Sequence, residues 1–201
     1  KTNLGALDYV EFLNFSSPVA TYKANYKKGQ LVMRVSLNSA NQIVGLLLQP
    51  AQDPNATPAS TVIDDPAVTE TSFKHKTMWG DISGTLAVPK NFDGKIPVVL
   101  IVPGSGPTDR NGNNPMGISS NSYLLLAKEL AKNNIASLRY DKRNIGQTLA
   151  PSKEKEMRFE DNSDDAIALI DLLHTDPRFS KIIVLGHSEG SLAGMLASEE
   201  Q

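Results

Sequence analysis

Apolar and polar positions divide the chain into two stretches of different character. Through residues 1–50 the pattern is that of strands. Leu31-Val32-Met33-Arg34-Val35-Ser36-Leu37 alternates with period two, and turn residues flank it at Lys27-Lys28-Gly29-Gln30 and at Asn38-Ser39-Ala40-Asn41. Residues 42–48 leave the second turn as a further strand. The alternation stops over 51–68, where Pro, Asp and small side chains gather in the composition of a linker, and a domain boundary is placed there.

From residue 69 the pattern changes again. Residues 73–79 and 83–88, around Gly80-Asp81, predict an antiparallel hairpin. Residues 96–102 form an unbroken apolar run rich in β-branched side chains, which predicts a strand buried on both faces. A helix is expected over 122–133 and a strand over 135–140. Over 161–175 an amphipathic helix is expected, with Ala166, Ile167, Ile170 and Leu173 on its apolar face and Asp164, Asp165 and Asp171 on its polar face. A third buried strand is expected over 181–185, then a helix over 188–198. Strands alternating with helices imply right-handed crossovers and a doubly wound, mostly parallel α/β sheet.

Composition narrows the function classes. The chain has 201 residues, 40% of them hydrophobic, enough to bury a substantial core. A net charge of -2 and 6% aromatics exclude a strongly cationic nucleic-acid binder or a base-stacking platform. No apolar run approaches the ~20 residues of a membrane-spanning helix. The absence of Cys removes disulfides, thiolate nucleophiles and Cys-ligated metals, and the three His show no HExxH spacing, so neither a metal nor a cofactor is implied. Composition assigns no compartment. A first residue that is Lys rather than Met fits a removed export signal, and a periplasmic or extracellular location is the working expectation.

Two segments carry candidate chemistry. Gly186-His187-Ser188-Glu189-Gly190 follows one predicted strand and opens a helix, the strand–turn–helix setting of a nucleophile elbow. Its bland alternative is a serine N-cap. Pro103-Gly104-Ser105-Gly106-Pro107 also follows a buried strand and supplies small residues whose N–H groups can face an oxyanion. A phosphate loop would need GxxxxGK[ST], which is missing here, and a plain Pro/Gly turn is the other alternative.

In order along the chain stand Pro103-Gly104-Ser105-Gly106-Pro107-Thr108-Asp109-Arg110-Asn111-Gly112-Asn113, Leu138-Arg139-Tyr140-Asp141-Lys142-Arg143-Asn144-Ile145-Gly146, and the Gly186–Gly190 motif. Together they resemble the bacterial serine esterase branch of the α/β-hydrolase family over residues 69–201. Asn144 stands where that family has Gly, and Asn is the side chain that best tolerates positive φ. Thr148 stands where Ser is usual. Residues 1–50 resemble the later part of a small α+β module found ahead of such hydrolases. The resemblance implies Ser188 as nucleophile, with an oxyanion hole from the N–H groups of Glu189 and of Gly104 or Ser105. It implies a packing role for His187, loop-fixing ion pairs for Asp109, Arg110, Asp141 and Arg143, and no catalytic part for His75 or His174.

The family order is Ser, then Asp or Glu, then His, and no His follows Ser188. The expectation is therefore that 69–201 is the first half of a hydrolase domain, inactive alone. Strand 181–185 would then be a bare edge, to be covered by the missing C-terminal half or by a neighbouring copy. The expected partner is a small-molecule ester. Competing readings are a serine peptidase or thioesterase of the same fold, and a non-catalytic binding protein on a hydrolase scaffold.

Overall fold

The computed structural model describes residues 4–50, 65–114, 118–151 and 156–200. Most of the expected linker lies outside these. The chain divides into two compact units, 1–58 and 59–201.

The described part of the first unit consists of strands: β1 (Leu7–Ser16), β2 (Val19–Tyr26), β3 (Gly29–Leu37) and β4 (Ile43–Pro50), in an antiparallel meander of that order. The expected turns are present. Tyr26 pairs with Gly29 across Lys27-Lys28, and Asn38 Oδ1 accepts from the N–H groups of Ala40 and Gln42 while Asn41 takes φ 58°. Apolar side chains on the two edge strands, among them Phe12, Phe15, Ile43 and Leu46, are exposed.

The second unit is built on a five-stranded sheet. Its strands are β5 (Val68–Lys76), β6 (Asp81–Pro89), β7 (Ile96–Val102), β10 (Ala136–Tyr140) and β11 (Phe179–Gly186), in the order β11-β7-β10-β6-β5. A two-stranded ribbon, β8 (Asn113–Asn114) and β9 (Ile118–Ser119), lies within the β7–β10 connection. Strands β10 and β11 run parallel to β7 on either side of it, and the β5–β6 hairpin joins antiparallel beside β10. Helices α1 (Ser122–Lys132), α2 (Phe159–His174) and α3 (Glu189–Glu199) follow β7, β10 and β11. The period-two geometry of β7 assigns the layers. Val98, Leu100 and Val102 pack in the cluster with Ala166, Leu169, Ile170 and Ala193, whereas Val99 and Ile101 pack with Tyr123 of α1. One helix thus covers one face and two cover the other, which is double winding.

Three expectations need correction. Helix α2 starts at Phe159, two residues early, because Asp161 turns back to accept from the Arg158 N–H. Asp165, expected on the polar face, is only 3% exposed and accepts from Arg143 and from the Trp79 indole N–H. Strand β11, whose apolar run reads as buried on both faces, is half-open along most of its length, and it stands at the sheet's edge as also expected.

Candidate active site

The chain leaves β7 toward β10 on one side and returns through α2 to β11 on the other. The carboxyl ends of β7 and β11 therefore sit side by side at a topological switch point, the place where open α/β sheets form their crevices. Both candidate motifs emerge there. His187 N–H donates to Val102 O at 3.0 Å, tying the elbow to the end of the central strand.

The elbow is sharp because two side chains are missing. A Cβ on Gly186 would fall on Gly190 O and Ser191 Cα, and one on Gly190 would strike the carbonyls of Val102 and Pro103. With both absent, α3 starts directly against β7, and Ser188 is forced to φ 55° and ψ -123°, a region costly for any residue with a Cβ. Ser188 is exposed at the start of α3 and makes no side-chain cap bond. Among the described residues, no hydrogen bond joins Ser188 Oγ to a histidine or carboxylate.

The loop after β7 lies against this elbow. A Cβ on Gly104 would come within 3.2 Å of Ser188 Cβ and 3.0 Å of His187 O, so a side chain there would push its neighbours back by a few tenths of an ångström. The buried Gly104 N–H donates to Tyr123 Oη at 3.5 Å, and Tyr123 Oη lies 2.8 Å from His187 Nδ1. Burial pushes the Tyr123 pKa up, which keeps it a donor. His187 is thus engaged by Tyr123 on its Nδ1 side. Neither the Ser105 nor the Glu189 N–H is engaged by a hydrogen bond among the described residues, and α3 presents its positive dipole end at Glu189.

The loop after β10 forms the third wall and is built from charge. Asp141 accepts from the Arg110 guanidinium at 2.5 Å and from the N–H groups of Arg110 and Gln147 at 2.9 Å. Gly146, at φ 53°, leaves room for that carboxylate, and Asn144 takes φ 60° where a left-handed residue is required. Arg143 pairs with Asp161 and Asp165 at 2.8 Å and lies 4.3 Å over the Trp79 ring. Lys142, only 8% exposed, donates from Nζ to Gly104 O at 2.5 Å. Burial lowers its pKa, with the charge of Glu189 acting in opposition. Thr148 is fully buried, and its hydroxyl accepts from the Ser83 N–H. Arg139 pairs with Glu70 and donates to Asn111 Oδ1 at 2.6 Å.

Beside the elbow opens a cavity of about 450 Å³, walled by Gly106, Pro107, Lys142, Arg158, Phe159 and Glu189 among others. It is large enough for a small ester and adjoins the residue after Ser188. Ser188 and Gly104 are brought together, with Glu189 and Ser105 next to them in their loops. His75 lies on β5, and His174 is exposed at the end of α2. Sequence reasoning missed Tyr123, Lys142 and Asp165. Lys142 had a signal, standing two residues past a wholly buried strand. Tyr123 had a weaker one, as a polar-tipped aromatic in the first turn of a helix. The described residues hold no cluster of His, Asp or Glu arranged for a metal, and no helix among them is long and apolar enough to cross a membrane.

Comparison with known proteins is consistent with this geometry. Residues 115–201 match the family model for serine aminopeptidase, S33. Over 189 residues the chain is 25% identical to Esterase EstD of Thermotoga maritima, covering 92% of this chain and 42% of that protein. The chain therefore spans under half the length of this curated relative. Among solved structures, the α/β hydrolase GrgF from Penicillium sp. sh18 aligns with a TM-score of 0.53 at 15% identity, over 66% of this chain and 42% of that one. Dienelactone hydrolase from Anabaena variabilis gives 0.52 at 19%, over 67% and 59%. Brefeldin A esterase, described as a bacterial homologue of human hormone sensitive lipase, gives 0.50 at 19%, over 71% and 40%. The fold is that of the α/β hydrolases.

Proposed function

We propose that the protein hydrolyses carboxylic esters through an acyl-enzyme on Ser188. The observation that carries this reading is the strained Ser188 backbone, held by two glycine contacts at the mouth of a sheet crevice. In the first step Ser188 Oγ bonds to the ester carbonyl carbon and its proton passes to a base. The carbonyl oxygen becomes an oxyanion facing the N–H groups of Glu189 and Ser105. Collapse of the tetrahedral species breaks the carbon–oxygen bond to the alcohol, which leaves with the proton. Water then repeats the sequence on the acyl group and frees the acid. The reading assigns the base to no residue among those described. Similarity to Esterase EstD supports an ester substrate.

A peptidase is the second reading, favoured by the serine aminopeptidase family match. The test uses the protein in its natural full length. A fluorophosphonate should label Ser188, and S188A should lose labelling together with roughly a millionfold of kcat, leaving the residual rate of binding and oxyanion contacts. Labelling that persists in S188A rejects the nucleophile. A higher kcat/KM on aminoacyl p-nitroanilides than on p-nitrophenyl butyrate replaces the esterase reading with the peptidase one.

A further inference from the structure

A buried ammonium without a carboxylate partner is expensive. Lys142 is such a group: among the described residues no carboxylate lies within ion-pair distance of Nζ. Its hydrogen-bond partner is the Gly104 carbonyl at 2.5 Å. That carbonyl belongs to the peptide joining Gly104 to Ser105, and in a trans peptide the C=O and the following N–H point in opposite directions. Fixing the oxygen therefore fixes the Ser105 N–H on the other side of the same plane. Of the Gly104 and Ser105 N–H groups, that of Gly104 is already spent on Tyr123, which leaves that of Ser105. A glycine-flanked loop, with Gly104 before and Gly106 after, has little side-chain packing of its own to prevent this peptide from turning over.

Resting on the esterase reading, we propose that Lys142 is a positioning residue of the oxyanion hole. Its ammonium clamps the Gly104–Ser105 peptide in the orientation that presents the Ser105 N–H to the reacting carbonyl oxygen. A flipped peptide would turn a carbonyl toward developing negative charge and abolish the donor.

The experiment compares wild type, K142M and K142Q in the full-length protein, reading kcat and KM on p-nitrophenyl butyrate, Ki for a trifluoromethyl ketone, and Tm. With the clamp removed, kcat per mole of folded K142M falls about a hundredfold, the scale of one lost oxyanion donor, while KM stays within about twofold. The ketone, which forms a bound oxyanion, weakens in parallel with kcat/KM. Tm does not fall, since a desolvated charge has been removed. A purely structural lysine would give the opposite split, with lower Tm and unchanged kcat per folded molecule, and that result overturns the proposal. Should K142M not fold, K142Q decides by the same measurements, because its shorter amide keeps an N–H donor and should lose less of kcat. S188A separates the two levels. If S188A is inactive and K142M retains wild-type kcat, the Lys142 assignment fails alone; if S188A remains active, both fail.

Discussion

Two loops at the carboxyl end of the sheet face one another and are built on opposite principles. The elbow after β11 is held by what is missing: two glycines bring backbone against backbone and leave Ser188 strained. The loop after β10 is held by what is present, with the carboxylates of Asp141, Asp161 and Asp165 gripping Arg110 and Arg143 around a Trp79 face. Backbone contact gives the elbow a geometry that does not depend on an ion pair. Charge pairs give the second loop directional anchors, but each anchor depends on its partner surviving desolvation. Ser188, the proposed nucleophile, stands on the loop held by backbone contact, and Lys142, the proposed positioning residue, stands on the loop held by charge pairs.

That contrast can be broken from either side. The largest stability loss is expected in D165A, which strands Arg143 in a buried setting with only Asp161 left; about 3–5 kcal/mol should disappear in denaturant unfolding. The double variant R143M/D165L removes both charges and should recover most of that loss, whereas a pairing needed for the fold itself would leave the double as weak as the single. On the side held by backbone contact G190A should cost about 1–3 kcal/mol through overlap with the Val102 and Pro103 carbonyls, and should suppress fluorophosphonate labelling more than it lowers Tm.

Smaller and pH-dependent is the effect of K142M on stability. Burial holds the folded pKa of Lys142 below its unfolded value, so the unfolded chain binds the extra proton between those two values and wild-type stability rises with pH there. The Tm advantage of K142M over wild type should therefore be greatest near neutral pH and shrink as pH climbs toward 10.5. An advantage independent of pH would mean that the ammonium is not desolvated. Smallest is Asn144. N144A should cost about 1 kcal/mol at a left-handed position, and N144G less than half of that, both read from denaturant midpoints.

Much of the framework was legible because its causes are local. The run 96–102 is apolar at every position where a central parallel strand has neighbours on both faces, and β7 is that strand. Asn144 was readable as a residue that tolerates positive φ, and it has φ 60°. Strand β11 carries a similar apolar run yet lies half-open, because burial of a strand depends on its place in the sheet, which no local pattern records. Asp165 was misplaced for a related reason. Its helix position lies beside Ala166 and one turn from Leu169, inside the buried stripe, but its acidic side chain reads as solvent-facing until Arg143, 22 residues earlier, is known to meet it. Tyr123 and Lys142 escaped because their partners are backbone and ring atoms of other loops, reached only once the sheet is assembled.

The strand order also fixes a timetable. Strand β7 obtains its neighbour β10 soon after α1 has been made, but its other edge must wait for β11, with Val102 matched to Gly186. At ribosomal speeds of ~5–20 residues per second, those roughly 80 intervening residues take about 4–17 s to emerge. Throughout that interval the most apolar strand of the unit presents one row of unpaired peptide groups to whatever is nearby. The strand that leads into Ser188 is also the one that closes this edge, so a nascent chain stalled before Gly186 is a sticky one, and a holding chaperone is most useful to this protein in that window.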